Sequence, residues 1–157
     1  MNPANRLPMQ LDQILVPFDF SAGAGLAFDE ALDLARRYGG KLTLLHAFVL
    51  NEQVYPYSAV MTEEEVDEAR DAAIGALEEW RDRAEAAGVS IDVRVAPGMP
   101  SENIAAVAKE IGADLIVMGT HGRTGLAHVL LGSVTERTLR TAPCPVMAVR
   151  PHETPGA

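Results

Sequence analysis

Gly119, Gly122 and Gly132, the last followed by Ser133, are the residues of this chain whose types and spacing could do chemistry. They follow the apolar run Asp114-Leu-Ile-Val-Met118, which reads as a buried strand, and are spaced Gly-x2-Gly-x9-Gly-Ser. Glycine at a strand end lets the backbone turn sharply and lets a ligand come close to the peptide groups, because no Cβ stands in the way. Ser133 opens a helical stretch, residues 134–141, whose first N–H groups have no partner inside the helix. Those N–H groups and the positive end of the helix dipole favour an anion such as phosphate. The chemistry on offer is phosphate binding.

Two better-known phosphate sites are disfavoured. A P-loop requires Gly-x4-Gly-Lys-Ser/Thr, and this loop has no such lysine. A dinucleotide fingerprint requires Gly-x-Gly-x-x-Gly after the first strand, where this chain has Asp19-Phe-Ser21. On the residues alone a plainer reading also stands. Gly119 and Gly122 could form a ligand-free turn. Ser133 heads Ser-Val-Thr-Glu136, a capping box that would occupy its hydroxyl within its own helix.

The elements that must position these residues alternate strand and helix. Strands are expected at residues 13–18, 41–48, 90–96, 113–118 and 145–149, and helices at 25–38, 62–87, 101–111 and 133–141. Gly39-Gly40 stops the first helix, and Thr62 with Glu65 forms a capping box at the start of the second. Residues 51–61 read as a polar and aromatic loop. Five strands separated by four helices imply a parallel sheet covered on both faces. Ligands of such sheets sit at the carboxyl ends of the strands, near the switch in strand order. Asp19, Ala47 and Gly119 all fall at or near such ends.

Composition narrows the class further. A chain of 157 residues with 48% apolar content is one folded domain. The expected domain spans residues 13–151, with flexible ends at 1–12 and 152–157. No apolar run approaches the ~18 residues of a membrane span, and the first residues lack a secretory apolar stretch, so the expectation is a cytoplasmic protein. A net charge of −9 argues against general nucleic-acid binding but not against one nucleotide held by backbone N–H groups. The single cysteine, Cys144, excludes an intrachain disulfide and reads as an inert thiol. His121 and His128 stand seven apart with no carboxylate or cysteine at ligand spacing in the sequence, so no zinc site is expected. His46 reads as a packed strand histidine, and Trp80 as core or interface.

Taken together, these segments resemble the nucleotide-binding branch of the universal stress protein family. The likeness runs from Ile14-Leu-Val-Pro17 to Pro143-Cys-Pro-Val-Met-Ala-Val149. It includes Val16-Pro-Phe-Asp19-Phe-Ser21, Leu44-Leu-His-Ala47 and Gly112-Ala-Asp-Leu-Ile-Val-Met-Gly-Thr-His-Gly122. It implies a three-layer, Rossmann-like domain of the adenine nucleotide alpha hydrolase type. It also implies bound ATP, AMP or ADP, with Mg2+ held through the phosphates near Asp19.

By the same resemblance, Pro17 and Asp19 lie beside the nucleotide and Ala47 lies against the base. Met118, Gly119 and Gly122 contact ribose and phosphates, while Gly132, Ser133 and Val134 close over the phosphates. Ala47 departs from the valine common at its position and would give the base less apolar contact. Asp19 could accept a hydroxyl hydrogen bond or hold Mg2+ through water, or end its strand as an Asx turn. Arg123 could offset phosphate charge or stand solvated. The resemblance further implies a homodimer formed through residues 145–149.

The expected function is a nucleotide-responsive regulatory protein of stress tolerance. A slow ATPase or self-phosphorylating protein is the enzymatic alternative, and a nucleotide-free dimeric module the structural one. No catalytic residue is assigned.

Overall fold

Branched apolar runs punctuated by caps and glycines set the order of the elements. The computed structural model describes residues 10–48, 62–122 and 131–151. β1 (Gln13–Pro17) leads to α1 (Ala22–Tyr38), β2 (Lys41–Phe48), α2 (Glu63–Ala86) and β3 (Ile91–Pro97). The chain continues through α3 (Pro100–Ile111), β4 (Leu115–Gly119), α4 (Ser133–Thr141) and β5 (Val146–Val149). The strands form one parallel sheet in the order β3-β2-β1-β4-β5. The expected five-stranded α/β architecture is therefore the observed one.

Successive strand side chains point to opposite faces, and both faces here are apolar. Ile14, Val16, Leu42, Leu44 and Val117 pack with Phe28 and Ala31 of α1 and Leu77 of α2. Leu15, Leu45, Ile116 and Met118 pack with Ile104, Val107 and Ala108 of α3, with Val134 of α4 beside them. Strand order explains this division. The chain steps outward from β1 to β3, then returns to the other side of β1 for β4 and β5. Crossovers of one hand then put α1 and α2 on one face and α3 and α4 on the other. Each fully buried Leu or Ile contributes roughly 1.5–3 kcal/mol, so the central strands form a rigid platform.

Local chemistry moves several boundaries from their expected places. α1 starts at Ala22, earlier than residue 25, because the Ser21 hydroxyl accepts the Ala24 N–H at 3.1 Å. α3 starts at Pro100, whose ring fits the first helical position and has no N–H to leave unpaired. β4 starts at Leu115, not 113. Ala113 N–H still closes α3 onto Ala108, and the Asp114 carboxylate accepts from Asp12 and Gln13 N–H, each at 2.9 Å. β3 lies one residue later than expected. The Thr62–Glu65 capping box forms in both directions, at 2.7 and 3.2 Å.

The alternative capping box, at Ser133 and Glu136, does not form. The N-cap of α4 is Gly132, and Ser133 is the first helical residue. Glu136 N–H bonds to the Gly132 carbonyl at 2.9 Å, and the cap residue itself makes no side-chain bond. Glycine in the cap position offers the leading N–H groups of α4 no side-chain acceptor of its own.

Candidate functional site

The site begins where two strands part. β1 and β4 are paired only at Ile14 with Leu115 and Leu15 with Ile116. Each strand then continues, β1 to Pro17 and β4 to Gly119. This is the switch in strand order, where the two crossovers leave for opposite faces and open a crevice at the carboxyl ends. A cavity of about 420 Å³ fills that crevice. Its volume falls in the range of small-molecule sites, roughly 300–1,000 Å³.

Sequence-predicted residues from distant segments meet on this cavity. β1 and its end supply Pro17 and Asp19, and β2 supplies Ala47. β4 supplies Met118 and Gly119, with Gly122 beyond it, and the start of α4 supplies Gly132, Ser133 and Val134. Arg123 and His128 lie outside the described residues, as does the 51–61 loop.

Asp19 is held on one side and lies against Gly122 on the other. Its Oδ1 accepts the Ser21 N–H at 3.0 Å, the Asx turn expected from Asp19-Phe-Ser. Its Oδ2 lies 2.8 Å from the point a Cβ on Gly122 would occupy. Phe20, between the two turn residues, has φ 64°, the only positive φ at a non-glycine among the described residues. A left-handed phenylalanine costs roughly 1–2 kcal/mol, so its surroundings must hold it there.

The site glycines work by close approach, not by unusual dihedrals. None of Gly119, Gly122 and Gly132 has a positive φ. A Cβ at Gly119 would lie 2.9 Å from the carbonyl carbon of Gly23, so its absence lets the first turn of α1 sit against the end of β4. The bare edge of Gly122 instead makes room for the Asp19 carboxylate.

α4 is tied to the end of β4. The buried Thr135 hydroxyl donates to the Gly119 carbonyl at 2.9 Å, and Gly132 N–H donates to Thr120 at 2.7 Å. These bonds hold the uncapped N-terminus of α4 against the cavity, with Ser133 exposed at its mouth. Partial positive charge at a helix start is worth roughly 0.3–1 kcal/mol toward an anion.

Sequence reasoning missed the opposite wall. Leu45 of β2 and Pro100 and Ile104 of α3 also line the cavity, as do His121 and Thr135. Ile104 is a buried core residue of α3, and core residues at a strand-end crevice double as ligand wall. Asp19 and His121 are the titratable residues among the described lining. Nothing in the described residues brings three or more His, Cys, Asp or Glu into one metal-binding group.

The remaining candidates lie elsewhere. His46 packs behind the cavity, with Nδ1 2.7 Å from the Phe18 carbonyl. Trp80 meets the Phe18 ring at a tilt and the Phe28 ring edge-to-face. Burial, and then the nearby Asp114 carboxylate, push the Cys144 thiol above its usual range, which disfavours the reactive thiolate.

Known proteins share this fold. A profile of the universal stress protein family matches residues 10–150. A putative universal stress protein of Staphylococcus haemolyticus is 33% identical over 144 residues, spanning 90% of this chain and 86% of its own. The chain therefore belongs to the universal stress protein family. Among solved structures, the universal stress protein UspA of Lactobacillus plantarum is 31% identical, with a TM-score of 0.72 over 90% of this chain and 99% of that one. A universal stress protein in complex with cAMP is 27% identical, with a TM-score of 0.68 over 90% and 98%. No helix among the described residues is long and apolar enough to cross a membrane.

Proposed function

We propose that this chain binds an adenine nucleotide in the crevice between β1 and β4 and acts as a nucleotide-responsive regulator in stress tolerance. The observation that carries the reading is convergence: Asp19, Gly122 and the uncapped start of α4 line one cavity at the strand switch point. The similar structure with bound cAMP supports the ligand class. The N–H groups of Ser133 and Val134 would hold phosphate, and Asp19 a ribose hydroxyl or a phosphate-bound Mg2+. Leu45, Ala47, Pro100 and Ile104 offer the base an apolar wall. ATP is the preferred assignment, with AMP and ADP as alternatives. Occupancy would bias a loop or a dimer only by its different affinity for the two states.

Binding, not turnover, is the reading the site supports. Phosphate transfer needs a positioned nucleophile and cationic stabilisation of the transition state. Among the described lining residues Asp19 is the one carboxylate, and none is Lys or Arg. We also propose a homodimer in the cytoplasm, joined through the outer edge of β5. That strand ends the sheet, and Met147 on it and Leu139 on α4 are exposed.

Titration calorimetry with ATP, with and without Mg2+, tests the site, alongside analysis of nucleotide released by denaturing the purified protein. A Cβ at Gly132 would meet Thr120 O at an ordinary 3.4 Å, so Gly132→Val should fold while crowding the phosphate end. Micromolar binding lost in Gly132→Val is the expected outcome. Neither binding nor co-purified nucleotide would leave a dimeric interaction module.

A further inference from the structure

His46 does not line the cavity, yet it meets the two features that aim Asp19. Phe18 follows the last paired residue of β1, and its N–H still reaches the Leu45 carbonyl at 2.8 Å. Its own carbonyl lies 2.7 Å from His46 Nδ1. A carbonyl only accepts, so Nδ1 carries the proton and donates. The imidazole thus fastens the chain to β2 at the point where it leaves the sheet.

The same ring supports the strained residue beyond. Its centroid is 4.9 Å from that of Phe20, which also meets the Phe18 ring edge-on at 5.4 Å. Phe20 is the residue with φ 64°, and that dihedral forms the turn in which Ser21 N–H grips Asp19 Oδ1. With Oδ1 fixed, Oδ2 is directed to the space left by Gly122. Removing the imidazole would free the Phe18 carbonyl and one wall of the Phe20 ring together.

We infer that His46 is a positioning residue, which holds the Phe18–Ser21 turn so that the Asp19 carboxylate faces the ligand. The inference rests on the nucleotide reading for its effect on affinity, but not for its effect on the turn. Its action runs through Asp19, so the consequences of the two residues should not add.

Two substitutions separate the ring from the proton. His46→Phe keeps a ring against Phe20 and loses the donor, whereas His46→Asn keeps a donor near Nδ1 and loses the ring. The first readout is ATP affinity by calorimetry in the wild-type and Asp19→Ala backgrounds. The second is hydrogen exchange of the Ser21 amide in the ligand-free protein. His46→Phe should weaken ATP binding roughly tenfold, the size expected when the partner that orients a binding group is lost. It should have less than about a twofold effect once Asp19 is alanine, because the residues act in series. His46→Asn should recover part of the affinity, and Ser21 exchange should accelerate in His46→Phe.

Equal losses in both backgrounds, or native affinity and unchanged Ser21 exchange in both variants, would overturn the inference. If the wild type binds no nucleotide, the site reading fails, and Ser21 exchange alone decides the role of His46. Should His46→Phe fail to fold, the same cycle and exchange measurement on His46→Asn decide it, with a loss specific to the Asp19 background expected.

Discussion

Two glycines only three positions apart should answer differently to the same added methyl. At Gly119 the methyl would meet backbone of Gly23 at 2.9 Å, and neither β4 nor α1 can yield cheaply. Gly119→Ala should lower unfolding free energy by about 1–3 kcal/mol, measured by denaturant titration. At Gly122 the methyl would meet the far end of the Asp19 side chain at 2.8 Å, on an exposed loop. Gly122→Ala should leave stability within about 0.5 kcal/mol while weakening ATP binding roughly tenfold, as expected for a displaced polar contact. A large stability loss at Gly122, or none at Gly119, would contradict these assignments. At this scale the sequence made the glycine positions legible, but not their reasons. Spacing cannot reveal that one glycine admits a helix and the other a carboxylate, since both reasons lie in segments about 100 residues away.

Helix starts show how far local chemistry reaches. Ser21 caps α1 with its hydroxyl and takes part in the Asp19 turn through its N–H. Ser21→Ala removes only the first of these and should cost about 1 kcal/mol, read as a lower denaturation midpoint with little change in nucleotide affinity. A loss of binding without a loss of stability would mean that the hydroxyl serves the ligand instead. Thr62 and Glu65 formed the expected box at the start of α2, with both of its hydrogen bonds present. Ser133 and Glu136 carry the same signature and did not. Tertiary bonds intervened: Thr135 is drawn to the Gly119 carbonyl and Gly132 to Thr120, which fixes the helix start one residue earlier. The motif was legible, whereas the competition from β4 was not.

At the scale of the whole molecule, the free edge of β5 sets the expected assembly. The N–H groups of Ile116 in β4 and of Thr120 just beyond it bond the carbonyls of Pro145 and Val149, so by parallel register the Ala148 N–H points away from β4. Ala148→Pro removes that outward donor and leaves the bonds to β4 intact. If the proposed homodimer forms through this edge, sedimentation velocity should show it for the unaltered protein and a monomer for Ala148→Pro, with ATP affinity unchanged. A dimer that survives the substitution would place the interface elsewhere. The double-sided sheet was legible from strands apolar on both faces, such as Leu42 to Leu45, alternating with amphipathic helices. The strand order was not, because either neighbour of β1 could have received β4 on periodicity alone. Pro100 and Ile104 joined the site only through that order.

The short pairing of β1 with β4 has one more consequence. It divides the sheet into an outer trio and an outer pair that share few ladder bonds at the crevice end. A small molecule seated between Asp19 on one side and Gly119 and Gly132 on the other would act as a rivet across this seam. Such a ligand stabilises the native chain in proportion to the logarithm of its concentration over its dissociation constant. The joint where the backbone contributes least would thereby become the place where the cell's nucleotide pool sets how firmly the two halves hold together.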